Sequence, residues 1–473
     1  MTLLVGNSET GFTSAKSTAA KVARAFAFTA SETGLLEELQ FRTNGTANTG
    51  VTSVRLGVFT DEGGKPGNVI QEGSVSGAPA TNSWVTVTGL TIPVLKNASY
   101  WLVVLSLGGS LHYNAHGAGG TSNWRLANRE REKLFEFPET AWEAASAEGP
   151  VGFQGLGKAG VGTERKITFG IDAGKTDHGH TEWTAHHVKL GRGTPGLDVE
   201  YTEAATTVST AVGEALTAGI VPLVIINTPD STVLSSITAA TYAEKAAAII
   251  KKVTEQHSSV RTFEIINEPY AKGPHSKSNA SDYAKILKAT YEKVAAEGIT
   301  EVTLLAATVG TYEKVNAEGV PTGVFSDIHQ GEGWVHDLLN AETSLKEGGA
   351  NAITGWTSHP YGKPVEINNE FSSGFLTAVA IRETVKRYGG GGYNNWWITE
   401  VGFNTGGSGP SHVASEAEQS ERLLEDLKQA QLLGEAGWLK ALVVYADNGE
   451  TWNVFGKTAG TTYETFANEH GVI

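Results

Sequence analysis

From residue 1 to about 157, apolar positions alternate with polar ones in short runs. Residues 51–59, 84–88 and 99–105 each place apolar side chains on nearly every second position, the period of a strand with one face against a core. Turn residues separate the runs, most plainly at Asp61-Glu-Gly-Gly-Lys-Pro-Gly67. The pattern predicts an antiparallel, jelly-roll-like β-sandwich over residues 1–157. Within it Trp84 and Trp101 lie in strand runs and are expected in the core. Tyr113, Trp124 and Trp142 lie outside the strongest runs and are candidates to touch a glycan. The glycine-rich stretch 155–162 predicts a linker, set at 158–164.

After residue 165 the period changes. Short apolar runs alternate with amphipathic helical stretches. Strands are predicted at 166–171, 187–190, 221–226, 262–266, 302–307, 353–357, 396–398 and 441–445. Between them the 3.6-residue period predicts helices such as 239–255, 281–296, 375–388 and 414–433. Eight such units over residues 165–473 predict an α/β fold, a (β/α)8 barrel, in which reactive groups collect at the C-terminal ends of the strands.

Composition narrows the partners. The net charge is −15, from 36 Lys and Arg against 51 Asp and Glu. That argues against a basic surface for nucleic acid or an anionic membrane and suits an uncharged polymer. There is no cysteine, so disulfides and thiolate chemistry are excluded. No segment approaches the roughly 20 apolar residues of a membrane span, and residues 1–7 lack the basic start of a signal peptide. The expectation is a soluble protein that is secreted, cell-surface or virion-associated. The sequence leaves the oligomeric state open.

Two of the predicted barrel strands end on glutamate. Phe263, Ile265 and Ile266 lead into Asn267-Glu268-Pro269, and Trp397 and Ile398 lead into Thr399-Glu400-Val401-Gly402. By strand count Glu268 follows strand four and Glu400 follows strand seven. Two facing carboxyls at a barrel rim are what glycosidic cleavage requires. Here the chain resembles the clan A glycoside hydrolases, retaining enzymes on a (β/α)8 barrel, in their cellulase-like or family 39-like branches. Ser358-His359-Pro360-Tyr361, after strand six, looks like the His-x-Tyr of those branches. The resemblance spans residues 165–473. It implies Glu400 as nucleophile, Glu268 as acid/base, Asn267 on the sugar 2-hydroxyl, and His359 and Tyr361 lining the site, with a β-linked glycan as substrate and no cofactor or metal.

Other positions stay open. The branches carry an arginine near the end of strand two, and Lys189 and Arg192 both compete for it. Asp172, ending strand one, either contacts sugar hydroxyls or caps a turn. Trp183, Trp334 and Trp452 fall beyond strand ends, where they either stack on sugar rings or pack loops. Pro360 after histidine points to a constrained backbone. Asp177-His178-Gly-His180 offers a second reading, a metal-dependent hydrolase, although no third ligand accompanies the two histidines. A further alternative is a phage tail-associated or cell-surface protein that grips polysaccharide, or a depolymerase whose main role is attachment.

Overall fold

The computed structural model describes residues 1–473 except 117–122, 128–141, 145–150, 165, 173–187, 194–196, 230–231, 270–276, 309–312, 316–320, 325–328, 366–373, 407–410, 447–451 and 472–473. The chain divides into two units, Met1–Gly162 with Val365–Ile367, and Thr163–Pro364 with Asn368–Ile473.

The first unit is antiparallel. A four-stranded and a six-stranded sheet carry most of it. Rings from both sheets meet between them. Phe26, on the six-stranded sheet, lies 6.5 Å from Phe41 and 6.3 Å from Phe153 on the four-stranded one. Tyr113 closes the cluster 5.3 Å from Phe41. This is the expected β-sandwich. Trp101 is core, as expected, and Trp84 is half-buried with the Arg42 guanidinium 5.7 Å from its ring centroid. The glycan-contact candidates fare otherwise. Tyr113 is fully buried and Trp142 nearly so, packed edge-on against Phe59; the Trp124 side chain lies outside the described residues.

The first part of the glycine-rich stretch 155–162 is strand. Phe153–Ala159 pairs on both sides inside the four-stranded sheet. Its glycines serve close approach. A Cβ on Gly157 would sit 1.9 Å from the Leu35 carbonyl oxygen, and one on Gly155 would sit 2.6 Å from the Leu36 side chain.

The second unit is a closed barrel of eight parallel strands. They are β1 (Thr168–Asp172), β2 (Leu190–Arg192), β3 (Val221–Asn227), β4 (Thr262–Ile265), β5 (Thr303–Ala307), β6 (Gly355–Ser358), β7 (Trp396–Val401) and β8 (Leu439–Tyr445). Pairing of β2 with β3, and of β1 with both β2 and β8, closes the ring. A short strand, Asp198–Glu200, adds to β3 in parallel. Leu190, Leu223, Leu305, Ala441 and Val443 fill one cluster of the barrel core, with Trp397 against it, as branched side chains do in such barrels.

Helices follow seven of the strands: α1 (Ala205–Thr217), α2 (Ala239–Gln256), α3 (Lys277–Ala296), α4 (His329–Ala341), α5 (Leu376–Arg387), α6 (Glu416–Glu435) and α7 (Thr458–His470). The connection after β1 falls outside the described residues. The start of α6 is set two residues later than its apolar pattern suggests, because Ser415 is the cap. Its hydroxyl accepts from the Glu418 backbone N–H at 3.2 Å, and the Glu418 carboxylate accepts from the Ala414 N–H at 2.7 Å, which satisfies one donor of the first turn and the amide just before the cap. No helix among the described residues is long and apolar enough to cross a membrane.

Candidate functional site

Arg192 organises the C-terminal mouth of the barrel. It ends β2, is 1% exposed, and spends its donors on four side chains. Nε and Nη2 each lie 2.9 Å from an oxygen of Glu264 on β4. Nη1 donates to Glu400 Oε1 at 2.6 Å and also to Asp172. Nη2 reaches Asn267 Oδ1 at 2.8 Å. Asp172 and Arg192 are register partners on neighbouring strands, so parallel pairing itself delivers this contact. The next residue must be glycine. Gly193 has φ +70°, and a Cβ there would lie 2.2 Å from Asp172 Oδ1. Burial alone would lower the guanidinium pKa, but Glu264, Glu400 and Asp172 together raise it well above its usual value.

Glu400, near the end of β7, is 8% exposed. Each of its oxygens has a donor. Arg192 serves Oε1, and the Tyr361 hydroxyl donates to Oε2 at 2.6 Å. Burial, then the charge of Glu400, pushes the Tyr361 phenol well above its ordinary pKa, so it stays protonated and keeps donating.

Glu268 follows β4 and is half-buried. The backbone reaches it through two left-handed residues, Ile266 (φ 61°) and Glu268 itself (φ 45°). Such conformations are uncommon for residues with side chains and cost on the order of 1–3 kcal/mol each. The constraint expected around Pro360 therefore lies after β4 instead, and no peptide among the described residues is cis.

His359 joins the two acids. Its Nδ1 is 3.0 Å from Glu268 Oε1 and 3.5 Å from Glu400 Oε2, while Nε2 is 3.0 Å from the Thr399 hydroxyl. Burial alone would lower its pKa; Glu400 and Glu268 outweigh this and leave it raised. One carboxylate oxygen of Glu268, one of Glu400 and a ring nitrogen of His359 all lie within 4.8 Å of one another. That spacing would also suit a cation. Arg192 and Tyr361 each donate to one oxygen of Glu400, and His359 bridges the two acids.

The structure thus brings Asp172, Arg192, Asn267, Glu268, His359, Tyr361 and Glu400 together. It resolves the strand-two alternatives geometrically, since Lys189 is exposed and Arg192 is buried at the centre. It also gives Asp172 a different place from either expectation. That residue is 2% exposed and paired to Arg192, beneath the surface a sugar could reach. Trp452 packs edge-on against Tyr361 and Tyr445, at 5.7 and 5.6 Å between centroids, and is half-buried. Trp183, His178 and His180 lie outside the described residues.

Trp334 is a correction. It sits in α4 rather than a loop, is fully buried, donates from Nε1 to the Ala307 carbonyl at 3.1 Å and stacks on Tyr283. Trp334→Ala should cost about 3–5 kcal/mol of stability, read by urea unfolding, while the KM of the folded fraction stays within about twofold. A large KM increase at unchanged stability would return Trp334 to the site.

Two residues with parts in this arrangement carried no sequence signal that drew attention. Glu264 is fully buried and holds Arg192 bidentately. Thr399 contacts both His359 and Thr357. A lone charge inside the apolar run Phe263-Glu264-Ile265 was the available sign of the first.

No protein-family model matches this sequence, and no curated protein matches it. Solved structures align with it at low identity. A broad-specificity endoglucanase from Clostridium acetobutylicum aligns at 9% identity and TM-score 0.42, covering 64% of this chain and 97% of that one. A modular endo-β-1,4-mannanase from Cellulomonas fimi aligns at 12% and 0.41, covering 64% and 71%. A fungal β-1,4-galactanase aligns at 11% and 0.39, covering 63% and 93%.

Proposed function

We propose that this protein is a retaining glycoside hydrolase that cleaves β-glycosidic bonds of a polysaccharide or oligosaccharide by double displacement. One observation carries the reading: oxygens of Glu268 and Glu400 lie within 4.8 Å of each other at the mouth of the barrel. Retaining enzymes hold their two carboxyls about 5 Å apart, whereas inverting ones need a wider gap for water.

Glu400 attacks the anomeric carbon while Glu268 protonates the departing oxygen. The glycosyl ester on Glu400 is then hydrolysed, with Glu268 removing a proton from water. Arg192 and Tyr361 hold the Glu400 carboxylate, one donor per oxygen, so whichever oxygen forms the ester, the other keeps a hydrogen bond. Asn267 has its Oδ1 fixed by Arg192, which leaves its amide hydrogens for a sugar hydroxyl. Trp452 forms an apolar wall near the pair.

The test is turnover on a panel of β-glucans, mannans, xylans, galactans and aryl β-glycosides, with the anomer of the first product followed by NMR. Initial release of the α-anomer, or no turnover across the panel, overturns the reading. Two carboxylates suffice for this chemistry, so activity is expected to survive extensive dialysis against EDTA within about 10%. Loss restored by zinc or calcium would revive a metal role.

A further inference from the structure

We propose that Glu264 is a positioning residue that sets both the orientation and the charge of the nucleophile through Arg192. The inference rests on the retaining reading above and adds a residue to it.

Glu264 lies within β4, four residues before the acid/base, and is fully buried. Water cannot stabilise its charge there, and a buried carboxylate needs a partner. It has one of the strongest available, a two-point contact with Nε and Nη2 of Arg192, each at 2.9 Å. A guanidinium is a planar fork. Fixing one side by two bonds fixes the direction of the other. That other side, Nη1, is the donor to Glu400. The same clamp aligns Nη2 with Asn267. Glu264 therefore holds two site residues it does not itself touch.

The charges matter as much as the geometry. Around the single guanidinium stand Asp172 from β1, Glu264 from β4 and Glu400 from β7. The groups facing Glu400 are Arg192, His359 and Tyr361, with Glu268 and Asp172 close by; those facing Glu264 are Arg192 and, from α3, Tyr283. An arginine bonded to Glu400 alone would stabilise its negative charge strongly and blunt it as a nucleophile. Glu264 absorbs much of that positive field. It leaves Arg192 as a rigid donor whose charge is largely spoken for, so Glu400 is oriented without being over-stabilised.

Two variants separate these effects. Glu264→Gln keeps the shape but removes the charge, and it turns an amide N–H₂ towards the guanidinium. We expect kcat to fall about 10²-fold, the scale of a small misplacement at a reacting centre. The acidic limb of the kcat/KM profile should move to lower pH, because a carboxylate has been removed from the charge network around Arg192. Glu264→Asp keeps the charge but reaches Arg192 less completely. Its kcat should fall about tenfold, with the acidic limb where the wild type has it. KM should change little in either.

A mere loss of packing would lower the melting temperature without moving the limb, so circular dichroism melts accompany the kinetics. A folded Glu264→Gln protein with a wild-type limb and wild-type kcat overturns the proposal. Should that variant not fold, Glu264→Asp decides: a lower kcat with an unmoved limb supports the positioning role, and an unchanged kcat overturns it. Wild-type protein without activity on any β-glycan or aryl β-glycoside would instead sink the enzymatic reading itself, which keeps the two failures apart.

Discussion

Glu400→Ala is expected to reduce kcat by about 10⁶-fold, the scale seen when a covalent nucleophile is deleted, or about 8 kcal/mol of transition-state stabilisation. The fold should survive. Arg192 retains Glu264 and Asp172 as counter-charges, so its guanidinium is not left buried and unpaired. The space vacated lies between Arg192, Tyr361 and His359, three groups suited to hold a small anion beside the anomeric carbon. Azide supplied to this variant should therefore restore turnover of an aryl β-glycoside bearing a good leaving group, and the product should be the α-glycosyl azide. Glu400→Gln should be as inactive but not rescued, because the amide fills that space. Rescue giving a β-azide, or a kcat within tenfold of wild type, would remove Glu400 from the nucleophile's role.

The parts of this site that were legible in the sequence are those at strand ends. A parallel barrel strand is buried on both faces and reads as an apolar run. A run that stops on Asn267-Glu268, or that carries Glu400 near its end, therefore advertises its polar terminus. His359 and Tyr361 also follow a strand, β6, but it is the His-x-Tyr resemblance that marks them. What lies deeper was harder to read. Glu264 interrupts the run of β4, and only the barrel's alternation indicates its direction: Phe263 and Ile265 turn one way and Glu264 the other, into the barrel with Leu305 as its register partner. A buried charge at that depth calls for an opposite charge from another strand, and Arg192 supplies it.

Two misreadings have equally physical origins. Trp334 was placed by its distance from the strands rather than by its own period, yet Trp334, Val335, Leu338 and Leu339 are all buried on α4 and recur with the spacing of a helix face. Glycines at 155 and 157 suggest flexibility in the sequence. In the fold they let neighbouring backbones and side chains approach. Composition records that a residue is small, and cannot say whether its smallness provides freedom or contact.

The second large effect concerns Glu268, and it depends on the leaving group. A poor leaving group, such as the sugar hydroxyl of an oligosaccharide, needs a proton as the bond breaks. General acid catalysis of that kind is worth about 10²–10⁴-fold, and Glu268→Ala should lose about that much on such substrates. A dinitrophenyl glycoside departs as a stable anion and needs no proton, so its first step should stay within about tenfold of wild type. The second step still lacks its base, and the glycosyl ester on Glu400 should accumulate, visible as a burst of phenolate and as added mass on the intact protein. Azide needs no deprotonation. It should therefore speed the second step, and because Glu400 still performs the first inversion, the product should be the β-glycosyl azide, opposite in configuration to that from Glu400→Ala. The two azide products together assign the two carboxyls without reference to any relative. His359 sharpens the assignment. Its Nδ1 lies 3.0 Å from Glu268 Oε1 and 3.5 Å from Glu400 Oε2, and Arg192 and Tyr361 hold Glu400 at 2.6 Å each, so His359→Asn should perturb the acid more than the nucleophile, with losses that again grow as the leaving group worsens. Equal losses of Glu268→Ala on both substrate types, with no accumulated ester, would show that the proton comes from elsewhere.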